Sequence, residues 1–447
     1  MRSLPQGTGL RSVKPCVAAR RISPPGSSWW WGALPAQGRF SGGMMSSTVQ
    51  ICRERYTASA APGLLLEHIG RWGRLSSAVV LLLVACTPVA GCGDPLRADG
   101  SAPTVLWSHD DAAGALSVPY ADGEVAVFNT ISEPRVVALD ARSGTKLWDR
   151  RLELPRDMRN RGFPPGRLVG AGDIVVVPAW DLYGLDKRTG AVRWKLAPPD
   201  DFPGAGVVLG DDGYLYSTGH HLYRIHPGTG DVLWRVDLGE QPFAPVERDG
   251  VVYVGTRGLI PGSTVLGAGH AFAVEAATGR VLWKTPIPAP EEPGLGGVTG
   301  AGAVTAELFI VSSPNWRVYG MDRRTGQVRW TTKGSGPYDA GVVVIADVAV
   351  TAGDAGFVDG FDVGTGARRW QLKIGSSVAG PITRMGDLAL VANGRLHAVD
   401  AQGVAKWAYG GAGWNQPTIR TGADVHEGAV YAGGGTGFYG LVVKSPS

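Results

Sequence analysis

The sequence predicts an all-β fold in which eight four-stranded antiparallel sheets are arranged radially as an eight-bladed β-propeller. Three observations predict this fold. A tryptophan recurs eight times at intervals of 37–49 residues, a period typical of propellers and solenoids. A glycine stands four residues before seven of these tryptophans. The 447 residues include 67 glycines and 31 prolines, a composition that favours a turn-rich β protein.

The repeat is defined by the aligned tryptophans and glycines, to which we assign a structural role. The tryptophans are Trp107, Trp148, Trp194, Trp234, Trp283, Trp330, Trp370 and Trp407. The glycines are Gly144, Gly190, Gly230, Gly279, Gly326, Gly366 and Gly403.

Each of these repeats contains a predicted β-hairpin. The copy from Val136 to Trp148 reads VVALDARSGTKLW, and LYGLDKRTGAVRW repeats it. Residues alternate at period two on both sides of a D-x-x-T-G link, as in two strands joined by a short turn. The link suits a turn with a left-handed residue, where glycine has no Cβ to clash and aspartate accepts hydrogen bonds from the turn amides.

Two more strand-like runs precede each hairpin, as GPITRM and DLALVAN precede LHAVD. Each repeat is therefore predicted to form a four-stranded sheet. A lone sheet of about 40 residues would leave both faces in water, so the sheets must pack against one another. We expect the tryptophan on the last strand to fill the gap to the next sheet, where an indole can bury about 200 Å².

The two ends of the repeat region complete each other. Trp107, in TVLWSHD, has no hairpin before it, and the C-terminal GFYGLVVK has no glycine and tryptophan after it. The first strand is therefore predicted to join the last three strands, which closes the ring and removes the free sheet edges. A seven-bladed ring with a separate tail is the alternative.

The segment before the repeats has the features of an export signal. Arg71 and Arg74 are followed by an apolar run from Leu75 to Ala85 and then by small residues, which is the three-part form of such signals. We predict that residues 1–70 are disordered or precede the true start codon, that 71–92 are a lipoprotein signal peptide, that 93–102 are a linker and that 103–447 form the propeller.

A cysteine ends the predicted signal peptide. Val89, Ala90, Gly91 and Cys92 resemble the lipobox of bacterial lipoproteins, which implies lipidation of Cys92. Cys86 fits the same pattern and is the alternative. A plain secretory signal or a single anchoring helix would also export the rest of the chain.

Charge and cysteine content narrow the function of the region after the signal. Residues 1–92 hold ten Lys and Arg against two acidic residues, whereas residues 93–447 hold 33 basic and 37 acidic side chains. A slightly acidic region has no basic surface for nucleic acid. All four cysteines precede residue 93, so thiol chemistry is excluded from the repeats.

Units that read ALDxxTGxxxW resemble the repeats of the PQQ-like (pyrroloquinoline-quinone-type) β-propeller superfamily over nearly all of residues 103–445. The resemblance implies the fold but not one function. Alcohol and glucose dehydrogenases of this superfamily hold a quinone and Ca²⁺ at the axis, with an aspartate base and, in many members, a disulfide between adjacent cysteines. Another branch is an outer-membrane lipoprotein of the β-barrel assembly machinery, which binds a partner protein and no quinone.

The sequence departs from those enzymes. It has no cysteine after residue 92, little length beyond the blades for loops that would cover a cofactor, and no cluster of Asp, Glu and Asn to bind Ca²⁺. We therefore predict no catalytic residue, no cofactor and no metal site. The expected protein is a monomeric, non-enzymatic scaffold that binds envelope proteins. A PQQ-dependent dehydrogenase, a sensor with a small ligand in the axial funnel and a purely structural envelope protein are alternatives.

Partner contacts are expected on loops, because a rigid ring presents them and function tends to lie there. Four basic residues in a long connection, Arg156, Arg159, Arg161 and Arg167, are the candidates. The residue after Cys92 is Gly93 rather than an acidic residue, and the resemblance to lipoprotein sorting signals then favours the outer membrane, facing the periplasm.

Overall fold

The computed structural model describes residues 103–131, 133–153, 166–197, 206–258, 267–289, 296–375, 377–378, 380–411 and 417–443. Regular structure in these residues is β-strand only, and 32 strands form eight four-stranded sheets. The predicted all-β fold with eight blades is confirmed.

The strands follow the order of the repeats. The first strand is β1 (Thr104–Asp110). Blade 1 has β2 (Tyr120–Ala121), β3 (Val125–Asn129), β4 (Arg135–Asp140) and β5 (Lys146–Arg151); blade 2 has β6 (Val169–Ala171), β7 (Ile174–Ala179), β8 (Asp181–Asp186) and β9 (Val192–Leu196). Blade 3 has β10 (Gly206–Leu209), β11 (Leu215–Thr218), β12 (Leu222–Ile225) and β13 (Val232–Val236); blade 4 has β14 (Gln241–Arg248), β15 (Val251–Arg257), β16 (Gly269–Glu275) and β17 (Val281–Ile287).

The second half of the ring repeats this plan. Blade 5 has β18 (Ala303–Val304), β19 (Leu308–Ser313), β20 (Arg317–Asp322) and β21 (Val328–Lys333); blade 6 has β22 (Tyr338–Ile345), β23 (Val348–Gly353), β24 (Phe357–Asp362) and β25 (Arg368–Lys373). Blade 7 has β26 (Thr383–Met385), β27 (Leu388–Ala392), β28 (Arg395–Asp400) and β29 (Ala405–Gly410). Blade 8 has β30 (Ile419–His426), β31 (Ala429–Gly434), β32 (Gly437–Val442) and, as its outer strand, β1.

The ring is closed by the strand exchange that the sequence predicts. Strand β1 pairs antiparallel with β32, and Trp107 stands opposite Gly440. The first strand of every blade contacts the first strand of the next, and β30 of blade 8 contacts β2 of blade 1. The alternative of seven blades with a separate tail is therefore excluded.

The recurring geometry of the hairpin turn follows from its aspartate and glycine. In blade 2, Asp186 Oδ1 accepts hydrogen bonds from the Thr189 amide and hydroxyl at 2.9 and 2.8 Å. Gly190 has a φ of 68°, and its amide donates to the Asp186 carbonyl at 2.8 Å. A side chain at Gly190 would be strained, because left-handed backbone is costly for residues with a Cβ.

The indole of each blade covers the turn of the next blade. A Cβ at Gly190 would lie 2.7 Å from Trp148 Cδ2, and Trp148 Nε1 donates to the Lys187 carbonyl at 2.9 Å. The same bond to the residue after the turn's first position is made by Trp107, Trp194, Trp234, Trp283, Trp330 and Trp370. Trp407 faces blade 8, which lacks this turn, and its buried Nε1 has no hydrogen-bond partner.

The hydrophobic core lies between adjacent blades. One cluster joins Val127 and Val136 of blade 1 to Val175 and Leu185 of blade 2. Between blades 8 and 1, Phe128 and Phe438 stack with their ring centroids 4.3 Å apart. Each blade is thus buried by its neighbours, as expected for sheets that cannot cover themselves.

Several sequence-based predictions lie outside the described residues. These are the disordered segment 1–70, the signal peptide 71–92 with Cys86 and Cys92, and the linker 93–102. Within the described residues, no helix has the length and apolar character needed to cross a bilayer.

Candidate binding face

One end of the ring carries the connections between blades and the turns from second to third strands; we call it the connection face. Asn315, in the turn between β19 and β20, donates from Nδ2 to the carbonyl of Pro288, which follows blade 4. The amide of Gly334, which follows blade 5, donates to the carbonyl of Trp316. The turn of blade 5 is therefore held between two connections.

Trp316 combines a left-handed backbone with an exposed indole on this face, whereas Trp180, left-handed in the corresponding turn of blade 2 with a φ of 67°, packs partly against the core. The backbone of Trp316 has a φ of 69°, and its side chain is 45% exposed. Residues with a side chain rarely adopt this conformation, which costs about 1–2 kcal/mol. Such strain persists only where the surrounding structure imposes it, and it is concentrated at functional sites.

The turn around Trp316 is held by a buried asparagine. The amide of Trp316 donates to the Ser313 carbonyl at 3.2 Å. Asn315 is 8% exposed, and its Nδ2 donates to the hydroxyl of Tyr319 at 2.8 Å while its Oδ1 accepts from the Arg317 amide at 3.1 Å. These bonds fix the backbone beneath an indole that remains open to solvent.

Of the four arginines predicted to contact a partner, the structure describes one. Arg156, Arg159 and Arg161 lie outside the described residues. Arg167 Nη2 donates to Asp424 Oδ1 at 2.6 Å, and Asp424 Oδ2 accepts from the Ala121 amide at 2.9 Å. This pair links blade 2 to blade 8 across blade 1. A role of Arg167 in partner binding stays a prediction.

A buried polar cluster lies where blade 5 connects to blade 6. The Tyr338 hydroxyl donates to Asp359, which is fully buried, and the Ser335 hydroxyl donates to Asp359 Oδ1 at 2.8 Å. Burial, and then the charge of Asp359, raise the pKa of Tyr338 above its usual range. The phenol therefore keeps its proton, and the cluster fastens the connection rather than transferring protons.

His397 is a second buried group without acid–base capacity near neutral pH. It is 1% exposed, and its Nε2 lies 3.0 Å from Asn393 Oδ1. Burial, with a smaller effect of Arg395, lowers the pKa of His397 to about 4. The imidazole is therefore neutral at physiological pH.

The turn residues of two irregular repeats stay within their turns. His226 stands where other blades have aspartate, and its Nδ1 lies 3.2 Å from the Thr229 hydroxyl. Glu275 accepts a hydrogen bond from the Thr278 hydroxyl and pairs with Arg280 at 2.8 Å. Both side chains face their own hairpin.

The dehydrogenase branch of the superfamily binds a quinone and Ca²⁺, which require a set of ligand side chains. In those ranges, no three side chains of His, Cys, Asp or Glu lie together so that they could hold a metal ion. A Ca²⁺ site takes six to eight oxygen ligands. The described residues therefore do not supply a cluster of carboxylates for such a site.

A family model described as outer membrane protein assembly factor BamB (PQQ_2) matches residues 96–204 and 218–434, more than half of the chain. The chain belongs to this family. The PQQ_2 match includes strands of all eight blades, and it agrees with the resemblance of the repeats to the PQQ-like superfamily.

Curated relatives share short parts of their length with this PQQ_2 chain. Tetrathionate hydrolase of Acidithiobacillus ferrooxidans is 21% identical over 244 residues, which are 43% of this chain and 45% of the relative. Quinoprotein alcohol dehydrogenase PedH of Pseudomonas putida is 30% identical over 142 residues, which are 28% and 23% of the two chains. The chain thus spans less than half the length of the curated relatives it matches.

Solved structures share the fold of the PQQ_2 chain. BamB from Moraxella catarrhalis has a TM-score of 0.59 at 16% identity and covers 76% of this chain and 99% of its own. Quinohemoprotein alcohol dehydrogenase from Comamonas testosteroni has a TM-score of 0.55 at 14% identity, with 77% and 78% covered. At these identities the likeness shows the fold alone.

The sequence did not point to Trp316. The repeat was defined by tryptophans spaced 37–49 residues apart, and Trp316 does not belong to that series. One signal was present. Trp316 follows Ser313, Pro314 and Asn315, residue types that are typical of tight turns. A bulky aromatic residue in such a turn is unusual and is therefore a candidate for a role in binding.

Proposed function

We propose that the protein is a non-enzymatic lipoprotein of the cell envelope that binds other envelope proteins through its connection face, with a role in outer-membrane protein assembly. The family model and the structural likeness to BamB support a scaffold of this kind. We further propose attachment to the periplasmic side of the outer membrane through lipidated Cys92, with Cys86 as the alternative.

The observation that carries the proposal is Trp316, which combines a strained backbone with an exposed indole. Tryptophan is enriched among the few interface residues that dominate binding energy. A residue whose backbone is already fixed loses less conformational freedom when a partner binds, which favours affinity. The turn therefore maintains a costly backbone conformation at the residue that presents this aromatic group.

The experiment compares three variants in partner capture from solubilised membranes. Trp316→Gly removes the indole and relieves the backbone, so its stability should stay within about 1 kcal/mol of the wild type or exceed it. We expect Trp316→Gly to lose at least about tenfold in capture of envelope proteins, a loss of about 1.4 kcal/mol, and Trp316→Phe to retain most of it.

The control is Leu233→Ser, which changes a side chain that is 47% exposed on the outer strand β13. It should bind like the wild type. Equal capture by Trp316→Gly and wild type would contradict binding through this face. Recovery of the lipidated wild type without any envelope protein would contradict the scaffold proposal as a whole.

The anchor is tested by mass spectrometry of the mature N-terminus. We expect a lipid-modified Cys92 as first residue, and a Cys92→Ser variant that no longer sediments with membranes. A Cys86→Ser variant should stay membrane-bound. A mature chain that begins elsewhere and carries no lipid would contradict this part of the proposal.

The second candidate is a quinoprotein dehydrogenase, which the 30% identity to PedH over 142 residues favours. Adding the quinone and Ca²⁺ to purified protein distinguishes the two functions. A bound chromophore with dye reduction would support the enzyme. Under the scaffold proposal, neither is expected.

A further inference from the structure

The turn between β27 and β28 of blade 7 contains the only asparagine of the chain that is followed by glycine. Asn393 and Gly394 form this two-residue turn, and Gly394 has a φ of 95°. An Asn-Gly pair suits a short hairpin turn, because glycine accepts left-handed backbone without strain. The same pair is chemically reactive, because a glycine nitrogen approaches the preceding asparagine side chain without hindrance from a Cβ.

The reaction open to this pair is deamidation. The Gly394 nitrogen forms a bond to Cγ of Asn393, the bond from Cγ to Nδ2 breaks, and the amide nitrogen leaves as ammonia with the proton of the Gly394 amide. Water then opens the resulting succinimide ring and gives aspartate or isoaspartate. Water is the only co-reactant. The attacking nitrogen must give up its proton, so a backbone amide that donates a hydrogen bond within the fold reacts slowly.

The attacking nitrogen is engaged in the closed ring. The amide of Gly394 donates to the Ile419 carbonyl at 3.0 Å, and the Ile419 amide donates to the Gly394 carbonyl at 3.1 Å. This reciprocal pair is an isolated antiparallel bridge between the turn of blade 7 and the first residue of β30, the inner strand of blade 8. Ile419 is fully buried. Gly394 can therefore attack only after the two blades separate at this bridge.

The side chain of Asn393 is held from two sides. Its Nδ2 donates to the Ile374 carbonyl, in the connection that follows blade 6, at 2.6 Å. Its Oδ1 accepts from His397 Nε2 at 3.0 Å and from the Arg395 amide at 3.3 Å. Nε2 of His397 carries the proton of this bond, because an amide oxygen can only accept. Both reacting groups of the Asn-Gly pair are thus bound by their neighbours in the folded ring.

We propose that Asn393 and Gly394 form a deamidation site that stays unreactive while blade 8 is docked on blade 7 and reacts when this junction opens. Blade 8 is completed by β1, the first strand of the ring, so its docking depends on ring closure. Local opening of packed elements occurs in native proteins at a free energy below that of global unfolding. Deamidation of Asn393 therefore records opening of the ring beside the blade that closes it.

The modification also hinders renewed closure. An aspartate at position 393 places a carboxylate oxygen where Nδ2 now donates to the Ile374 carbonyl, so an attraction becomes a repulsion between two acceptors. Isoaspartate adds a backbone atom to a turn of two residues, which shifts β27 against β28. Both products oppose the bridge between Gly394 and Ile419. A ring that has opened and reacted therefore docks blade 8 less tightly than before.

The test follows deamidation of the full chain at mildly alkaline pH by mass spectrometry. Trypsin cleaves after Arg384 and Arg395, so the reacting pair lies in the peptide 385–395. Wild type unfolded in urea gives the unprotected rate. We expect folded wild type to deamidate at least about tenfold more slowly, because the reaction requires local opening of packed strands. Equal rates in the folded and unfolded protein would overturn the proposal.

Two matched variants locate the opening that controls the rate. Thr383 of blade 7 donates to the Ala423 carbonyl of β30 at 2.8 Å, and Thr285 of blade 4 donates to the Gly326 carbonyl of blade 5 at 2.6 Å. Both threonines are 8% exposed, and valine removes only the hydroxyl group. We expect Thr383→Val to deamidate roughly two- to tenfold faster than wild type, the range that loss of one hydrogen bond gives, and Thr285→Val to match wild type. The same rate in both variants overturns the proposal.

Two measurements keep the test decisive if Thr383→Val fails to fold. Hydrogen exchange of the Gly394 amide in wild type should be slowed by at least about tenfold relative to the unfolded chain, and an unprotected amide contradicts the gate. The product is represented by Asn393→Asp, which should unfold at a lower temperature than wild type and exchange the Gly394 amide faster. An Asn393→Asp protein with wild-type stability and exchange contradicts the effect on ring closure.

Discussion

Arg167 and Arg257 have opposite surroundings in the same ring. Arg167 is 38% exposed at its side chain, yet it is paired with Asp424 at 2.6 Å. Arg257 is 8% exposed and has no ion pair among the described residues. The more buried charge is thus the less compensated one. Blades with one backbone plan can therefore differ completely in how their polar groups are satisfied.

The surroundings of Arg167 belong to the closure of the ring. Asp424 binds Arg167 of blade 2 and the Ala121 amide of blade 1 at once. Trp107 covers the turn of blade 1 and donates to the Ala141 carbonyl at 2.8 Å. Here the polar groups are paired and stabilise the closed ring, whereas Arg257 is buried without an ion pair among the described residues. The following variants test this contrast, beginning with the largest expected effect.

Trp107→Ala should weaken the closing sector most. The indole is 6% exposed and packs against Phe128 and Tyr431. Its removal leaves a cavity, and Trp→Ala in a core costs about 3–5 kcal/mol in unfolding free energy. Urea unfolding measures the change. Trp316→Ala, at an exposed position, should cost less than about 1 kcal/mol; equal losses would contradict the role of Trp107 in closure.

The pH dependence of the unfolding free energy should report on Asp339, in blade 6. The pKa of Asp339 is raised from 3.8 to about 6, so the folded state binds this proton more tightly than the unfolded state. The stability from Asp339 is therefore fully present below about pH 4 and is lost as pH rises through about 6. The loss is at most about 3 kcal/mol.

Chemical unfolding of wild type and Asp339→Asn across pH 4–7 measures this contribution, with each stability compared at equal ionic strength. The difference between the two proteins should fall as pH rises, because Arg257 and Asp354 are unchanged. A difference that is constant with pH would show that Asp339 does not titrate in the folded state near pH 6.

Asp424→Asn should destabilise the closing sector to an intermediate degree. The substitution removes the charge that pairs with Arg167 while keeping the side-chain shape. Hydrogen bonds to charged groups contribute about 1.5–3 kcal/mol, and we expect a loss in unfolding free energy within this range. Thermal and urea unfolding measure it. No loss would show that Arg167 finds water or another partner at no cost.

Arg257→Met should have the smallest effect and the opposite sign. An apolar side chain of similar length removes a buried charge that makes no ion pair with the described residues, and such replacements are neutral or stabilising by about 1 kcal/mol. Urea unfolding measures the change. A loss above about 2 kcal/mol in unfolding free energy would indicate that Arg257 stabilises the fold.

Trp407 shows how far the repeat pattern extends. Its indole is 2% exposed, less than those of the other repeats, but its Nε1 has no partner because blade 8 lacks the D-x-x-T-G turn. The absence of that turn is visible in the sequence. The unsatisfied nitrogen follows only when the position of blade 8 beside blade 7 is known.

The sequence by itself determined the blade count, the four strands of each blade and the closure of the ring. These features depend on spacing, alternation and turn chemistry, which are local and repeat eight times. The predicted closure is confirmed by the pairing of β1 with β32. The predicted partner arginines remain untested, because three of them lie outside the described residues and Arg167 pairs with Asp424.

Only the tertiary structure decided which polar groups are satisfied. Arg257, Thr299 and Asp339 are 82 positions apart at most in the sequence, and no spacing rule joins them. They belong to three successive blades, and glycines at 297 and 300 allow the backbones of these blades to approach closely. Hydrogen bonding and burial of a charge depend on every neighbour in space, whereas a repeat pattern carries information only about neighbours along the chain.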